Sequence, residues 1–301
     1  MNIKILNRNE INIEKWNDCI KNSLNNRVYA YSWYLDITSE KKWMAIIIND
    51  YEFVMPFAVK KKYMINYVYQ PFFTQQLGIF SKNEIKENLV KKLLLILKEK
   101  YRFVNINLNS LNKVSNFNLS ERVNYELNLN SSYKNIKQNF SKNTKTYFKK
   151  ALKNNLSVSN NATIKELINL KRNKPTINLD AEKLNLLEKL LTDCKQKKLS
   201  KVYCVKNENG DLISAFVFIF ANNRAYYIFS ESNEEGRKKN AAFFLMNKFI
   251  EEHANKNLVL DFEGSMIQGV ARFFKGWGAK NNPYYNFQLN RLPLFLKIFK
   301  K

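Results

Sequence analysis

The chain has 301 residues, 45% apolar and 14% aromatic, enough to bury two cores, and a formal charge of +24 from 50 Lys and Arg against 26 Asp and Glu. No apolar run reaches the roughly 18 residues of a membrane-crossing helix, and the start MNIKILNRNEINIEKW, interrupted by charges, lacks the apolar core of an export signal. Cys19, Cys194 and Cys204 show neither a paired nor a metal-ligating spacing, so a cytoplasmic protein without a disulfide framework or zinc site is expected.

In chain order, hydrophobic periodicity predicts an amphipathic helix over Ile13 to Asn25, then a Tyr/Trp-rich turn, AYSWYLD. WMAIII and EFVMPFAV, separated by a turn at Asn49-Asp50, read as a hairpin, and YVYQPFFTQQLGIF as more extended chain. A periodic helix follows over Asn83 to Glu99, with Ser81 as its expected N-cap, and the strand FVNINLN closes the set.

The order then repeats. LDAEKLNLLEKLLTDCKQ is a helix, KVYCVK and LISAFVFIF form a hairpin across Asn209-Gly210, AYYIFS is a strand, a helix runs from Asn240 to Ala254, and LVLDF is the strand after it. Helix, hairpin, strand, helix and strand occur twice, with little shared sequence. Two α/β domains are therefore expected, 1–130 and 131–301, the second entered through basic helices at 131–155. That entry segment, Ser131 to Asn155, holds seven lysines and no acid. Its apolar residues fall at helical spacing, with Ser141 a cap. It reads either as a lysine wall facing phosphates or as paired amphipathic helices whose polar face is basic. The high net charge allows the same two readings, a polyanionic partner or a lysine- and asparagine-rich composition alone.

Candidate chemistry gathers in the second half. In SESNEEGRKKNAAFFLMNKFI a strand ends and a helix begins at Asn240, and a helix start suits a pyrophosphate. Gly236, Arg237, Lys238 and Lys239 add freedom and positive charge there, and Ala241 and Ala242 permit close approach. Four of the seven glycines, Gly264, Gly269, Gly276 and Gly278, crowd into LDFEGSMIQGVARFFKGWGA, read as a segment closing an active site. Strand alternation puts Asp261 and Glu263 on one side. Glu263, nearer the strand end, is the better base, while Asp261 acts with it, or else caps or pairs with a neighbouring lysine. Lys275 either stabilises an oxyanion or is solvated, and Tyr227 or its neighbour Tyr226 faces the cleft. His253 is expected at the surface. The tail LPLFLKIFKK could touch a membrane, but packing on the domain is favoured.

Arg237-Lys-Lys-Asn240-Ala-Ala242 resembles a degenerate form of the Q/R-x-x-G-x-G/A signature of GNAT acyltransferases, which cradles the pyrophosphate of acyl-coenzyme A. Asn240 stands where the signature has its central glycine, and Asn visits left-handed geometry readily. Together with FKKALKNNLSV, LDFEG and FFKGWGA, the order of motifs from about residue 30 to 290 resembles the Fem-like branch, which joins two GNAT folds in tandem, each a mixed sheet flanked by helices. Phe273 to Gly278 is similar to that branch's F-K-x-x-F/W-G motif, except that Phe274 takes the lysine's place and Lys275 falls one position late.

The resemblance implies an acyltransferase. The candidate catalytic residues are Glu263, Lys275 and Tyr227, and Gly236, Arg237, Lys238, Lys239, Asn240, Ala241 and Ala242 are expected to hold the donor. Direct transfer from acyl-coenzyme A to an amine is the leading expectation, with no metal. The alternative is an aminoacyl-tRNA-dependent ligase acting on a peptidoglycan precursor. The coiled-coil arm of some tRNA-dependent relatives has no counterpart, which leans against tRNA. A third expectation is a non-catalytic protein binding nucleic acid or an anionic surface.

Overall fold

The computed structural model describes residues 1–115, 117–173, 178–264 and 266–293. The chain forms two units: Met1–Arg122 joined by the segment from Pro283, and Val123–Asn282.

In the first unit β1 (Ile3–Asn7), β2 (Trp43–Ile48), β3 (Phe53–Lys62) and β4 (Ile65–Tyr69) form an antiparallel meander. β5 (Phe103–Asn107) lies parallel to β4, as a helical crossover requires, and that crossover contains α3 (Glu87–Lys100). α1 (Ile13–Asn22) and α2 (Ser32–Thr38) precede β2. Trp16 and Ile20 of α1 and Val90, Leu93, Leu94 and Leu97 of α3 are buried, at the three- and four-residue spacing that puts them on one helical face. β6 (Leu119–Arg122) and β13 (Tyr284–Asn290) complete the sheet, in the order β1-β2-β3-β4-β5-β13-β6.

The second unit opens with β7 (Tyr125–Asn128), α4 (Tyr133–Gln138), α5 (Lys142–Leu152), α6 (Ile164–Arg172) and α7 (Ala181–Gln196). β8 (Ser200–Lys206), β9 (Leu212–Ala221) and β10 (Arg224–Ser232) are antiparallel neighbours. α8 (Glu234–Lys238) and α9 (Ala241–His253) cross over to β11 (Val259–Asp261), parallel to β10. α10 (Gln268–Gly276) and β12 (Lys280–Asn281) follow, and the sheet order is β12-β7-β11-β10-β9-β8.

The two sheets correspond strand for strand. β2-β3-β4-β5-β13-β6 and β8-β9-β10-β11-β7-β12 share every relative direction: two antiparallel steps, one parallel, two antiparallel. The duplicated mixed α/β architecture expected from the repeat is therefore present. One position is filled in an order the repeat did not anticipate. The fifth strand of each matched set differs in origin: β13 comes from the end of the chain, and β7 from before the helices of its unit. The expected division at 130 and 131 thus moves to Arg122 and Val123, and β13 leaves the second domain for the first.

Other expectations also shift. AYSWYLD is mostly helix: α2 buries Tyr34 and Leu35, and that burial outweighs the residues' turn and strand preferences. Ser81 does not cap α3, which starts at Glu87; its hydroxyl donates to Glu52 O and accepts from the Asn83 N–H. His253 is buried, stacked on Phe249 and Phe220, with Nδ1 2.9 Å from Phe249 O, and burial lowers its pKa. Ser141 caps α5 as expected, accepting from the Thr144 N–H. The three cysteines are free. Among the described residues no helix is long and apolar enough to cross a membrane, and the tail beyond Pro293 lies outside them.

Candidate active site

The second unit is built around aromatic side chains. Phe218 of β9 stacks on Phe249 of α9 with centroids 3.8 Å apart, and Tyr203 of β8 meets both edge-on. Such pairs contribute about 0.5–1.5 kcal/mol each beyond burial, which fixes α9 on the sheet. α9 starts abruptly. Asn240 has φ 56° and ψ 33°, the left-handed geometry expected of a residue replacing glycine, and no side chain caps the helix. Its first turn, Ala241-Ala242-Phe243, carries no acid, so the positive end of the helix is not offset from within.

The neighbouring charges expected to grip a phosphate are partnered. Arg237 Nη2 lies 3.2 Å from Glu231, Lys238 Nζ 3.0 Å from Glu234 and Lys239 Nζ 2.7 Å from Glu235. The latter two pairs are one turn apart on the surface, where such contacts are weak and readily exchanged for a phosphate. Glu231 is fully buried and also accepts from Lys171 at 3.0 Å. Gly236 serves packing: a Cβ there would stand 2.2 Å from Ile213 O.

β10 and β11 pair only from Arg224↔Val259 to Tyr226↔Asp261, and β10 is irregular between Tyr227 and Phe229. Beyond that point the strands part. Tyr227, Phe262 and Phe274 of α10 fill the opening, with centroid separations of 6.0, 4.8 and 6.0 Å. Glu263 and Lys275 each directly follow one of these rings, so the structure brings the three catalytic candidates around one aromatic cluster. Burial pushes the Tyr227 pKa well up, only partly offset by its hydrogen bond with Ser230. Lys275 is exposed, with Nζ 5.6 Å from the Tyr125 ring centroid.

The expected alternation of Asp261 and Glu263 is corrected. β11 ends at Asp261, and Glu263 has φ 61°, outside the strand. Asp261 is fully buried, 3.3 Å from Arg224 Nη1, and accepts the Glu263 N–H at 3.0 Å. Arg224 also pairs with Glu126 at 2.8 Å. Burial opposes the Arg224 charge, but the two carboxylates outweigh it and raise the pKa. Asp261 thus holds structure, while half-buried Glu263 is turned out of the strand.

Three of the four clustered glycines are required by the chain itself. A Cβ at Gly264 (φ +62°) would lie 2.1 Å from Val123 O, at Gly276 2.3 Å from Thr144 Oγ1 and at Gly278 (φ +80°) 2.9 Å from Asn139 Cβ. Only Gly269 faces open space. The segment is clamped to β7 and to the α4–α5 turn, where the Ser141 N–H also donates to Gly276 O at 2.9 Å.

α4 and α5 are the basic helices. Ile136, Thr144, Phe148 and Ala151 point inward, and the Tyr133 hydroxyl donates to Asn247 of α9 at 2.7 Å. Among the described residues Lys134, Lys137, Lys142, Lys145, Lys149, Lys150 and Lys153 make no ion pair, although carboxylates partner many lysines elsewhere. α5 runs beside the α9 mouth: Asn154 Nδ2 donates to Lys239 O, and Tyr147 stacks on Phe243. Phe243 meets Phe273 of α10 at 5.1 Å, which links the mouth to the helix carrying Lys275. Sequence reading passed over Tyr147 and the Arg224–Asp261–Glu126 cluster. It also missed Trp277, whose buried Nε1 has no hydrogen-bond partner among the described residues. None of these carries a local spacing signal.

No family model matches the sequence, and no curated protein does. Solved structures do. The chain is similar to FemX at 14% identity and a TM-score of 0.64, covering 100% of both chains. It is also similar to L-PGS from Bacillus licheniformis at 11% identity and a TM-score of 0.54, covering 95% of this chain and 94% of that one. The C-terminal domain of a putative lysylphosphatidylglycerol synthetase from Agrobacterium fabrum gives 8% identity and a TM-score of 0.52, covering 92% and 91%. These likenesses show a shared fold, the Fem-like tandem GNAT architecture.

Proposed function

We propose that the second unit transfers an aminoacyl group from the 3′ end of a charged tRNA to an amine acceptor such as a cell-wall precursor. The observation that carries this reading is the unpaired lysine face of α4 and α5 beside the uncapped, acid-free mouth of α9. Seven separate ammonium groups match a phosphate backbone better than the few phosphates of a small donor. The Fem resemblance implies the same donor.

The chemistry asks little beyond positioning and charge. Glu263 takes a proton from the acceptor ammonium, and the neutral nitrogen attacks the ester carbonyl carbon. Lys275 faces the oxyanion of the tetrahedral intermediate, which is where a fixed cation counts most. Collapse breaks the bond to the ribose oxygen, that oxygen takes a proton from Tyr227, which burial keeps as a phenol, and the surplus proton of the attacking nitrogen restores Tyr227 as the neutral amide forms. An ester becomes an amide, so no further energy source is required.

A second reading keeps acyl-coenzyme A as donor. It is favoured by the left-handed Asn240 and the small first turn of α9, which fit a pyrophosphate. Both donors can be tested on the full chain with a panel of amines. The expected result is amine-dependent consumption of charged tRNA, lost in Lys275→Ala and Glu263→Gln, with roughly 10²–10³ in kcat removed by the lysine change. Alanine at Lys145 and Lys149 should flatten the salt dependence of tRNA binding by about 0.7 in slope per lysine. Amine-dependent consumption of acyl-coenzyme A alone favours the second reading. Unchanged turnover in both catalytic variants removes the catalytic assignment, and binding without any transfer leaves a non-catalytic anion-binding protein.

A further inference from the structure

Tyr147 does not fit the packing logic of its own helix. α5 buries Thr144, Phe148 and Ala151, yet Tyr147, at the margin of that buried face, keeps 42% of its surface exposed. It is not a loose surface residue either. Its ring stacks on Phe243, the third residue of α9, with centroids 4.9 Å apart and planes 26° from parallel. Phe243 is held in turn by Phe273 at 5.1 Å and Trp277 at 6.0 Å. The exposed ring is therefore fixed from beneath by three aromatic residues on two helices. Lys150 Nζ lies 5.6 Å from its centroid, and Lys142, Lys145 and Lys149 extend the positive charge round the same helix.

We infer that Tyr147, backed by Phe243, is a stacking platform for an unpaired purine at the 3′ end of an RNA, with Lys150 taking the adjoining phosphate. A flat, pre-fixed ring with an ammonium group beside it is the arrangement that binds single-stranded nucleic acid, because each base offers a π face and each nucleotide an anion. Charge complementarity selects the occupant: no carboxylate occurs from Ser131 to Asn155 to favour a basic or apolar partner. This rests on the proposed donor site and deepens it, since the platform adjoins the first turn of α9 and, through Phe273, the helix of Lys275.

The test uses the full chain and a hairpin RNA with a single-stranded CCA end whose terminal adenine is replaced by fluorescent 2-aminopurine. Tyr147→Leu keeps an apolar cover over Phe243 but loses the flat ring, and Tyr147→Phe keeps the ring. Stacking worth about 1–3 kcal/mol per base predicts that Tyr147→Leu weakens binding roughly 5- to 150-fold. It also predicts 2-aminopurine quenching by the wild type and Tyr147→Phe but not by Tyr147→Leu. Equal binding and quenching by Tyr147→Leu overturns the platform, as does a wild type that leaves 2-aminopurine unquenched. A loss confined to coenzyme A, with RNA binding untouched, overturns the RNA occupant. These readouts need no turnover: stacking without transfer refutes only the proposed reaction, and transfer with Tyr147→Leu binding RNA normally refutes only the platform.

Discussion

Replacing Gly264 and Gly269 by alanine, one at a time, separates two uses of glycine that sequence cannot distinguish. Gly264 has φ +62°, and an added Cβ would stand 2.1 Å from Val123 O and 2.8 Å from Asn124 Cα. Left-handed backbone costs an L-residue about 1–2 kcal/mol. The clash is with main chain leading directly into β7, so nothing flexible can yield, and forced overpacking adds roughly 1–3 kcal/mol. Gly264→Ala should therefore lose about 2–5 kcal/mol. Gly269 lies in α10 with nothing within 4 Å of the added atom, so Gly269→Ala should gain up to about 0.5–1 kcal/mol from helix propensity and reduced chain entropy. Two units need not unfold together, so the reporter should be local. Hydrogen exchange at the Phe262 and Leu129 amides, which donate to Tyr125 O and Leu258 O, reads the β7–β11 pairing directly. A Gly264→Ala protein protected like the wild type at both amides would refute the close-approach argument. Marked loss of protection in Gly269→Ala would show a contact where open space is described.

Asp261→Asn keeps the acceptor for the Glu263 N–H but removes one charge facing Arg224, which retains Glu126; a loss of about 1–3 kcal/mol in urea denaturation is expected, with the kcat of folded protein kept. Lost turnover at full stability would instead make Asp261 the base. Glu166 completes the capping box of α6 and accepts from Lys206 and Thr163, which hold its pKa at about 2 against an ordinary 4.5. Because the folded-state value is depressed, its contribution is complete above pH 4.5 and fades as pH falls toward 2, so Glu166→Gln should reduce the acid-induced drop in urea midpoint over that window.

The duplicated architecture was legible because periodicity is local: a helix or hairpin announces itself within a dozen residues. The exchange of β7 and β13 was not, since the partner of YELN is decided by which sheet has an unfilled edge, far off in the chain. α6 carried a readable signal, the capping box Thr163-Ile-Lys-Glu166, that periodicity alone passed over. Glycine scarcity correctly marked a constrained segment. It could not say whether ligand or chain imposes the constraint, because Thr144 and Asn139, which crowd Gly276 and Gly278, are distant in sequence. Likewise FFKGWGA pointed to α10, but only packing shows that Phe273 reaches the α9 mouth while Phe274 reaches Tyr227.

The duplication also supports placing the proposed donor site in the second unit. α3 and α9 occupy equivalent places, each crossing from the third strand of the matched set to the parallel fourth. Their first turns differ in sign. α3 begins with Glu87, whose carboxylate accepts from the Ser115 N–H and hydroxyl and pairs with Lys91, so its helix start is already furnished with an anion. Those hydrogen bonds hold the Glu87 pKa down at about 2, and a phosphate arriving there would meet a persistent negative charge. α9 begins with Ala241-Ala242-Phe243 after a left-handed asparagine, with no acid in its first turn and a lysine-faced helix alongside. Two copies of one fold have been given opposite electrostatic tasks at the same position, and only the second leaves its helix dipole for an incoming anion.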